Sequence, residues 1–203
     1  MPNDPIKKAA GYATTGKIIA FATDTVFGLA CDAANEDAAK RIYTIKGRSF
    51  DKPLPVLTHC TKSVLKFASL SPLEKKLIKL FWPGAMTLIL NLKQTDLIAP
   101  SVTQGQSTIA VRMPQRLSIL RLLKEVGRPL ATTSLNLSGD DPILLETDIP
   151  EELKQKIDYI MVDDSHPASG KASTIIRCDW DDFKILRQGD LTREEILKRL
   201  TEA

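Results

Sequence analysis

Short apolar runs alternating with amphipathic stretches constrain this chain more than any other feature. The run over 17–22, Lys17-Ile18-Ile19-Ala20-Phe21-Ala22, is too short for a helix of ordinary length and reads as a buried strand. Comparable runs recur over 54–57, 87–92, 107–112, 130–134, 159–162, 173–177 and 183–186. Helical patterns lie between or beside them, over 6–15, 33–45, 64–68, 71–81, 116–126, 150–156 and 192–200. Asn35 suits the N-cap of the second and Pro72 the first turn of the fourth. Over 116–126, Leu117, Leu120, Leu122 and Leu123 make an apolar stripe. Residues 23–28 are turn-rich. Strands and helices mixed in this order, without internal repeats, predict an α/β (α+β) fold with a mixed sheet. No Gly/Ser-rich linker divides the chain, so residues 1–203 are expected to form a single domain with its core over about 6–200.

Hydrophobic residues make up 43% of the 203, enough to bury a substantial core. Apolar stretches such as 86–92 fall far short of the roughly 20 residues that span a bilayer. The polar start of the chain lacks a signal-peptide pattern, so a soluble, cytoplasmic protein without a membrane partner is expected. Cys31, Cys60 and Cys178 are widely spaced and odd in number, which argues against a disulfide framework. Neither His59 nor His166 has zinc-site spacing to them, and no structural metal is expected. Charge is unevenly spread. Residues 40–79 hold ten Lys/Arg against two Asp/Glu, whereas 140–203 hold nine against sixteen. A basic segment of that kind attracts polyanions, or is simply a solvated helix face.

The familiar phosphate-binding loops are absent, as are the hydrolase elbow and the kinase signatures. Polar groups instead cluster where apolar strands end. Thr23-Asp24-Thr25, with Gly28 beyond, could hold a small polar ligand or merely form a turn. Lys46-Gly47-Arg48 and then Lys52 place three cations within seven residues. Such a group suits phosphate oxygens, or complements a helix C-terminus. Ser134, Asn136 and Ser138 would share one side of an extended chain and could bind phosphate or ribose, or form a Ser/Asn turn. Arg112 closes an apolar strand, where it could take a carboxylate or phosphate or make a surface salt bridge. Ser173-Thr174 and Arg187-Gln188-Gly189 are further polar strand ends.

In this order these segments resemble the YrdC/TsaC family of threonylcarbamoyl-AMP synthases over nearly the whole chain, residues 17–192. The resemblance rests on Ala22-Thr23-Asp24-Thr25-Val26-Phe27-Gly28, Lys46-Gly47-Arg48, Lys52-Pro53-Leu54 and Trp82-Pro83-Gly84-Ala85-Met86-Thr87. It continues through Ile109-Ala110-Val111-Arg112-Met113-Pro114, Ser134-Leu135-Asn136, Ser173-Thr174-Ile175 and Leu186-Arg187-Gln188-Gly189. Ala22, Ser49 and Ala172 stand where the family commonly has proline, an alteration of scaffold rather than of chemistry.

The resemblance implies a twisted mixed sheet with flanking helices and a basic concave cavity, in the short single-domain form. It implies ATP with Mg²⁺, L-threonine and bicarbonate as reactants. Carboxylated threonine would attack the α-phosphate, releasing pyrophosphate and leaving threonylcarbamoyl-AMP. Downstream transfer proteins would then modify adenosine 37 of tRNAs reading codons that begin with A, with tRNA itself a candidate direct partner. Lys46, Arg48, Ser134 and Asn136 are the expected catalytic residues. The nucleotide would be held by Lys46, Arg48, Lys52, Ser134, Asn136, Ser138, Ser173 and Arg187, and threonine by Thr23, Thr87 and Arg112. A relative with this fold but only an RNA-binding role is the nearest rival reading.

Overall fold

The structure, a computed structural model, describes residues 4–47, 49–136, 141–162 and 169–202. Helix α1 (Pro5–Thr14) starts where the Asp4 carboxylate accepts from the Ile6 N–H, and a hairpin of β1 (Ile19–Ala22) and β2 (Phe27–Asp32) follows. Asn35 caps α2 (Glu36–Lys46) by accepting from the Ala38 N–H, and Gly47 ends the helix at φ 57°, a left-handed conformation that favours glycine. Then come β3 (Val56–Leu57), α3 (Thr61–Val64) and β4 (Ala68–Ser69). Ser71 and Glu74 form a capping box on α4 (Pro72–Phe81). The middle of the chain supplies β5 (Met86–Leu92), α5 (Pro100–Thr103), β6 (Thr108–Arg112), α6 (Leu117–Val126) and β7 (Leu130–Ser134). It closes with α7 (Glu151–Lys154), β8 (Tyr159–Met161), β9 (Thr174–Asp179), β10 (Asp182–Arg187) and α8 (Arg193–Thr201).

All ten strands join one mixed sheet in the order β10-β9-β5-β6-β3-β7-β2-β1-β8, with β4 set against β5. The β3–β6, β5–β9 and β1–β8 pairs are parallel and the remainder antiparallel. One face carries Ala20, Leu29, Val56, Leu88, Val111, Ala131 and Ile176, which pack on α2 and α4 through Ile42, Leu77 and Phe81. Each such fully buried Leu, Ile or Val contributes about 1.5–3 kcal/mol. Among the described residues, helices cover the other face at one end only. There α1 and α6 lay Ala9, Ala13, Ile119, Leu122 and Leu123 over Ile19, Ala30 and Leu130. Beyond them, among the described residues, the face floors a cavity.

The structure corrects four local expectations. Residues 27–32 form a strand where 27–28 were expected in a turn and 29–32 were left unassigned, because β2 is buried along its whole length and so lacks alternation. The helical pattern over 64–68 ends at Val64, and Ala68 instead pairs with Leu92 in the sheet. Leu117 leaves the apolar stripe of α6 and is 73% exposed, since Ile119, Leu122, Leu123 and Val126 form the inward face. The turn of α5 carries no hydrophobic period and was not expected at all. Among the described residues, no helix is long and apolar enough to cross a membrane.

Candidate functional site

The open part of the sheet floors a cavity of about 670 Å³. Much of its wall comes from strand positions two apart: Phe21 of β1, Gly28 of β2, Thr132 and Ser134 of β7, Ala110 and Arg112 of β6, Thr87 and Ile89 of β5, Ile175 and Arg177 of β9; Thr133, the consecutive Leu186 and Arg187 of β10, and loop residues add to it. The pleat directs alternate residues to one face, and the cross-strand register brings Gly28 opposite Ser134 and Thr87 opposite Arg112. Helices contribute nothing to this wall among the described residues.

The turn between β1 and β2 closes on itself. The Thr23 hydroxyl donates to the Val26 carbonyl at 2.7 Å and accepts from the N–H groups of Thr25 and Val26, each at 3.1 Å. The Thr23 and Thr25 hydroxyls are 3.0 Å apart. Thr23 therefore both lines the cavity and serves its own turn. Arg116, which the sequence reading did not single out, supports the same turn: its buried guanidinium donates to the Thr23 carbonyl at 2.9 Å.

Arg112 is held from three sides. Its Nε donates to the Gly84 carbonyl at 3.0 Å and its Nη1 to the Thr25 hydroxyl at 2.6 Å. Its Nη2 lies 2.6 Å from Asp24 Oδ2, an ion pair whose oxygen sits off the N–H axes. Burial pulls the guanidinium below its usual pKa, and the Asp24 carboxylate opposes that shift. The other oxygen, Asp24 Oδ1, is buried without a hydrogen-bond partner among the described residues. Arg112 thus lines the cavity, but as half of a buried pair rather than as a surface salt bridge.

Lys46 and the segment after β7 meet directly. Lys46 is buried at the last turn of α2, and its Nζ donates to the Ser134 carbonyl at 2.6 Å and to Asn136 Oδ1 at 3.0 Å. Ser134 Oγ donates to the same Asn136 oxygen at 2.5 Å. Ser134 and Asn136 line the cavity, whereas Lys46 stands behind them. Lys52 is exposed and outside the wall, with its carbonyl accepting from the Tyr43 hydroxyl at 3.0 Å. Arg48 and Ser138, both expected to bind the nucleotide, lie outside the described residues.

At the far side, buried Thr87 and Ser173 share a hydroxyl–hydroxyl contact of 2.7 Å. Arg187 donates to the Ser173 carbonyl from Nη2 at 2.9 Å and reaches the Ser173 hydroxyl at 3.3 Å. Burial, and then the charge of Arg112, hold the Arg187 guanidinium below its usual pKa. A β-carbon at Gly189 would collide with the Ala172 carbonyl and the Ser173 backbone, so only glycine lets β10 return this close to Ser173.

Fold and site together define a mixed α/β protein that can hold an anionic small molecule over the open face of its sheet. The chain belongs to the Sua5–YciO–YrdC family: that family's model, described as "Telomere recombination", matches residues 12–189. It is 39% identical to a threonylcarbamoyl-AMP synthase of Bacillus subtilis, a similarity covering 96% of this chain and 56% of the relative. A putative threonylcarbamoyl-AMP synthase of Methanocaldococcus jannaschii is 34% identical, with 90% of this chain and 84% of the relative covered. The structure matches that of Pyrococcus abyssi Sua5 complexed with L-threonine at a TM-score of 0.88 and 36% identity, covering 97% of this chain and 57% of that one. The chain thus spans little more than half the length of the Bacillus and Pyrococcus relatives.

Proposed function

We propose that this chain is an L-threonylcarbamoyladenylate synthase, a nucleotidyltransferase that joins L-threonine, bicarbonate and ATP. The observation that carries the reading is the tie between Lys46 and the Ser134–Asn136 segment at the edge of a cavity lined by Thr23, Thr87 and Arg112. Motifs far apart in the chain converge on one space, and relatives 39% and 34% identical to the chain are named for this reaction.

Attack on phosphorus needs positioned groups and charge neutralisation more than a protein nucleophile. Threonine's amino nitrogen forms a bond to the bicarbonate carbon with loss of water, giving an N-carboxylate. An oxygen of that group bonds to the α-phosphorus of ATP as the bond to the pyrophosphate oxygen breaks. In this cavity Ser134 and Asn136 orient the phosphates or ribose, and Lys46 fixes both residues while adding positive charge behind them. Lys52 and Arg48 would add charge on the nucleotide side and Ser138 a hydroxyl; Arg48 and Ser138 lie outside the described residues. Thr23, Thr87 and Arg112 receive threonine, with Arg112 on its carboxylate. Among the described residues no carboxylate lines the cavity, a donor set that fits Mg²⁺ arriving on the polyphosphate oxygens rather than on a protein cage. Bound there, Mg²⁺ would offset phosphate charge.

The product would pass to threonylcarbamoyl-transfer proteins acting on adenosine 37 of tRNA in the cytoplasm. Pyrophosphate release by the purified protein, with ATP, Mg²⁺ and bicarbonate, tests the reading. Release that needs L-threonine and bicarbonate supports it. A folded protein giving no threonine-dependent release would overturn it in favour of the RNA-binding rival.

A further inference from the structure

The hairpin joining β9 to β10 ends in an exposed tryptophan. Asp179 pairs with Asp182 across the two strands, so Trp180 and Asp181 make a two-residue turn. Trp180 has φ 54°, a left-handed conformation that such turns ordinarily give to glycine, asparagine or aspartate. So bulky a residue is strained there, and its ring is 90% exposed. Strain of this kind persists only where surrounding structure enforces it, and it gathers at binding sites. The base of the hairpin supplies the enforcement. Phe183 is buried in the core, and Arg193 lies 4.7 Å over its ring while donating to the Phe183 carbonyl at 2.9 Å.

Asp179, Asp181 and Asp182, all exposed, surround the tip. Among the described residues only Asp182 is paired, with Arg193 at 3.2 Å. Arg177 and Lys184 face each other two residues further in. An apolar tip ringed by carboxylates repels phosphate, so nucleic acid is a poor occupant. Strand addition is also opposed, because Lys184 and the bulge between Ile185 and Arg187 interrupt the edge. What fits the tip is an apolar spot ringed by cations.

The chain carries such a spot itself. Residues 52–73 contain no Asp or Glu, and within them Leu65 is 45% exposed beside the exposed Lys62 and Lys66. Lys93, also exposed, donates from Nζ to the Leu65 carbonyl at 2.8 Å. Burial, then the charges of Lys124 and Lys66, hold the neighbouring His59 imidazole below its usual pKa, a mark of the positive field there. Tip and patch share one end of the sheet. β9 borders β5 as far as the pair of Arg177 with Ile89. Beyond it β4 takes the same edge, Ser69 opposite Asn91 and Ala68 opposite Leu92, while β6 holds the other edge.

We propose that two copies of this chain associate reciprocally, Trp180 of each seating on Leu65 among Lys62, Lys66 and Lys93 of the other. A two-fold axis beside that end of the sheet lets each copy give its tip and take the other's. Two small contacts bury less than a permanent dimer needs, so the association is weak and reversible. It does not depend on the synthase reading.

Sedimentation equilibrium of the whole protein over about a hundredfold range of concentration tests it. The expected mass rises with concentration from one chain towards two, and falls back when salt is raised from about 0.05 to about 0.5 M. Trp180→Gly removes the ring and relieves the backbone, so it should melt close to the wild type while weakening association about tenfold or more. Lys66→Glu should also weaken association, and adding Asp181→Lys to the same chain should restore part of the loss. A mass of one chain at every concentration would overturn the proposal, as would a dimer that Trp180→Gly leaves unchanged. A monomer that binds double-stranded RNA, and loses that binding in Lys66→Glu, would assign the patch to RNA instead.

Discussion

Lys46 Nζ lies 2.6 Å from the carbonyl oxygen of Ser134, a residue 88 positions away in the chain. The contact joins the last turn of one helix to the end of a strand, and it sets where Asn136 can stand. Replacing Lys46 by Ala leaves the Ser134 carbonyl and Asn136 without that donor, at a cost of about 1–3 kcal/mol. Pyrophosphate release should be lost, while the melting temperature falls by only roughly 2–4 °C per kcal/mol. A Lys46→Ala protein with normal turnover would remove the residue from the mechanism.

Asp24 and Arg112 should respond differently to truncation. Asp24→Ala strands a buried guanidinium, which costs about 3 kcal/mol, the low end of the range because Asp24 keeps some contact with solvent. Urea unfolding measures that loss directly. Arg112→Ala should raise the apparent KM for threonine more than that for ATP, and the reverse ranking would show that the cavity is divided otherwise.

Gly189→Ala forces a methyl group against the Ala172 carbonyl and the Ser173 backbone. Relief requires β10 to shift, at about 1–3 kcal/mol for overpacking. Because Arg187 and Ser173 move with it, ATP affinity should fall more than the stability loss alone would suggest. Paired titration and thermal melts check this.

The ion pair of Asp158 with Arg41 predicts a pH dependence of stability. Burial acts to raise the Asp158 pKa, but the Arg41 side chain and the Ile18 N–H outweigh it and hold the carboxyl below its ordinary value. A depressed folded-state pKa stabilises the protein above the unfolded pKa, and that contribution fades as pH falls through the folded one. Urea unfolding between neutral and acid pH should therefore show a smaller acid loss in Asp158→Asn than in the wild type. Parallel profiles for the two would exclude the pair from acid stability.

Much of the architecture was legible because period carries it: α4 with Pro72 in its first turn, β7 and α8 follow from the spacing of their apolar residues. Strand β2 was not, since burial on both faces erases alternation. The site was legible as a set of motifs but not as a geometry. Nothing local says that Lys46 would face Ser134 and Asn136 rather than the cavity, or that Asp24 would hold Arg112, because such partners are chosen by sheet order. Arg116 gave a signal that could have been read, an arginine at the N-cap of a helix whose inward face is apolar, and it proved to anchor the Thr23 turn.

In β5 and β6 the cavity wall takes Thr87, Ile89, Thr108, Ala110 and Arg112, while the intervening Leu88, Ile109 and Val111 belong to the hydrophobic core. A slip of one position in β6 would bring Val111 to the wall and send Arg112 and Ala110 into the apolar layer beneath. Recognition and folding are therefore written in the same strands on alternating letters, and drift in one is checked by the other. Changes of substrate preference in such a protein should arise at the wall-facing letters singly, and single-residue insertions within β5 or β6 should unfold it.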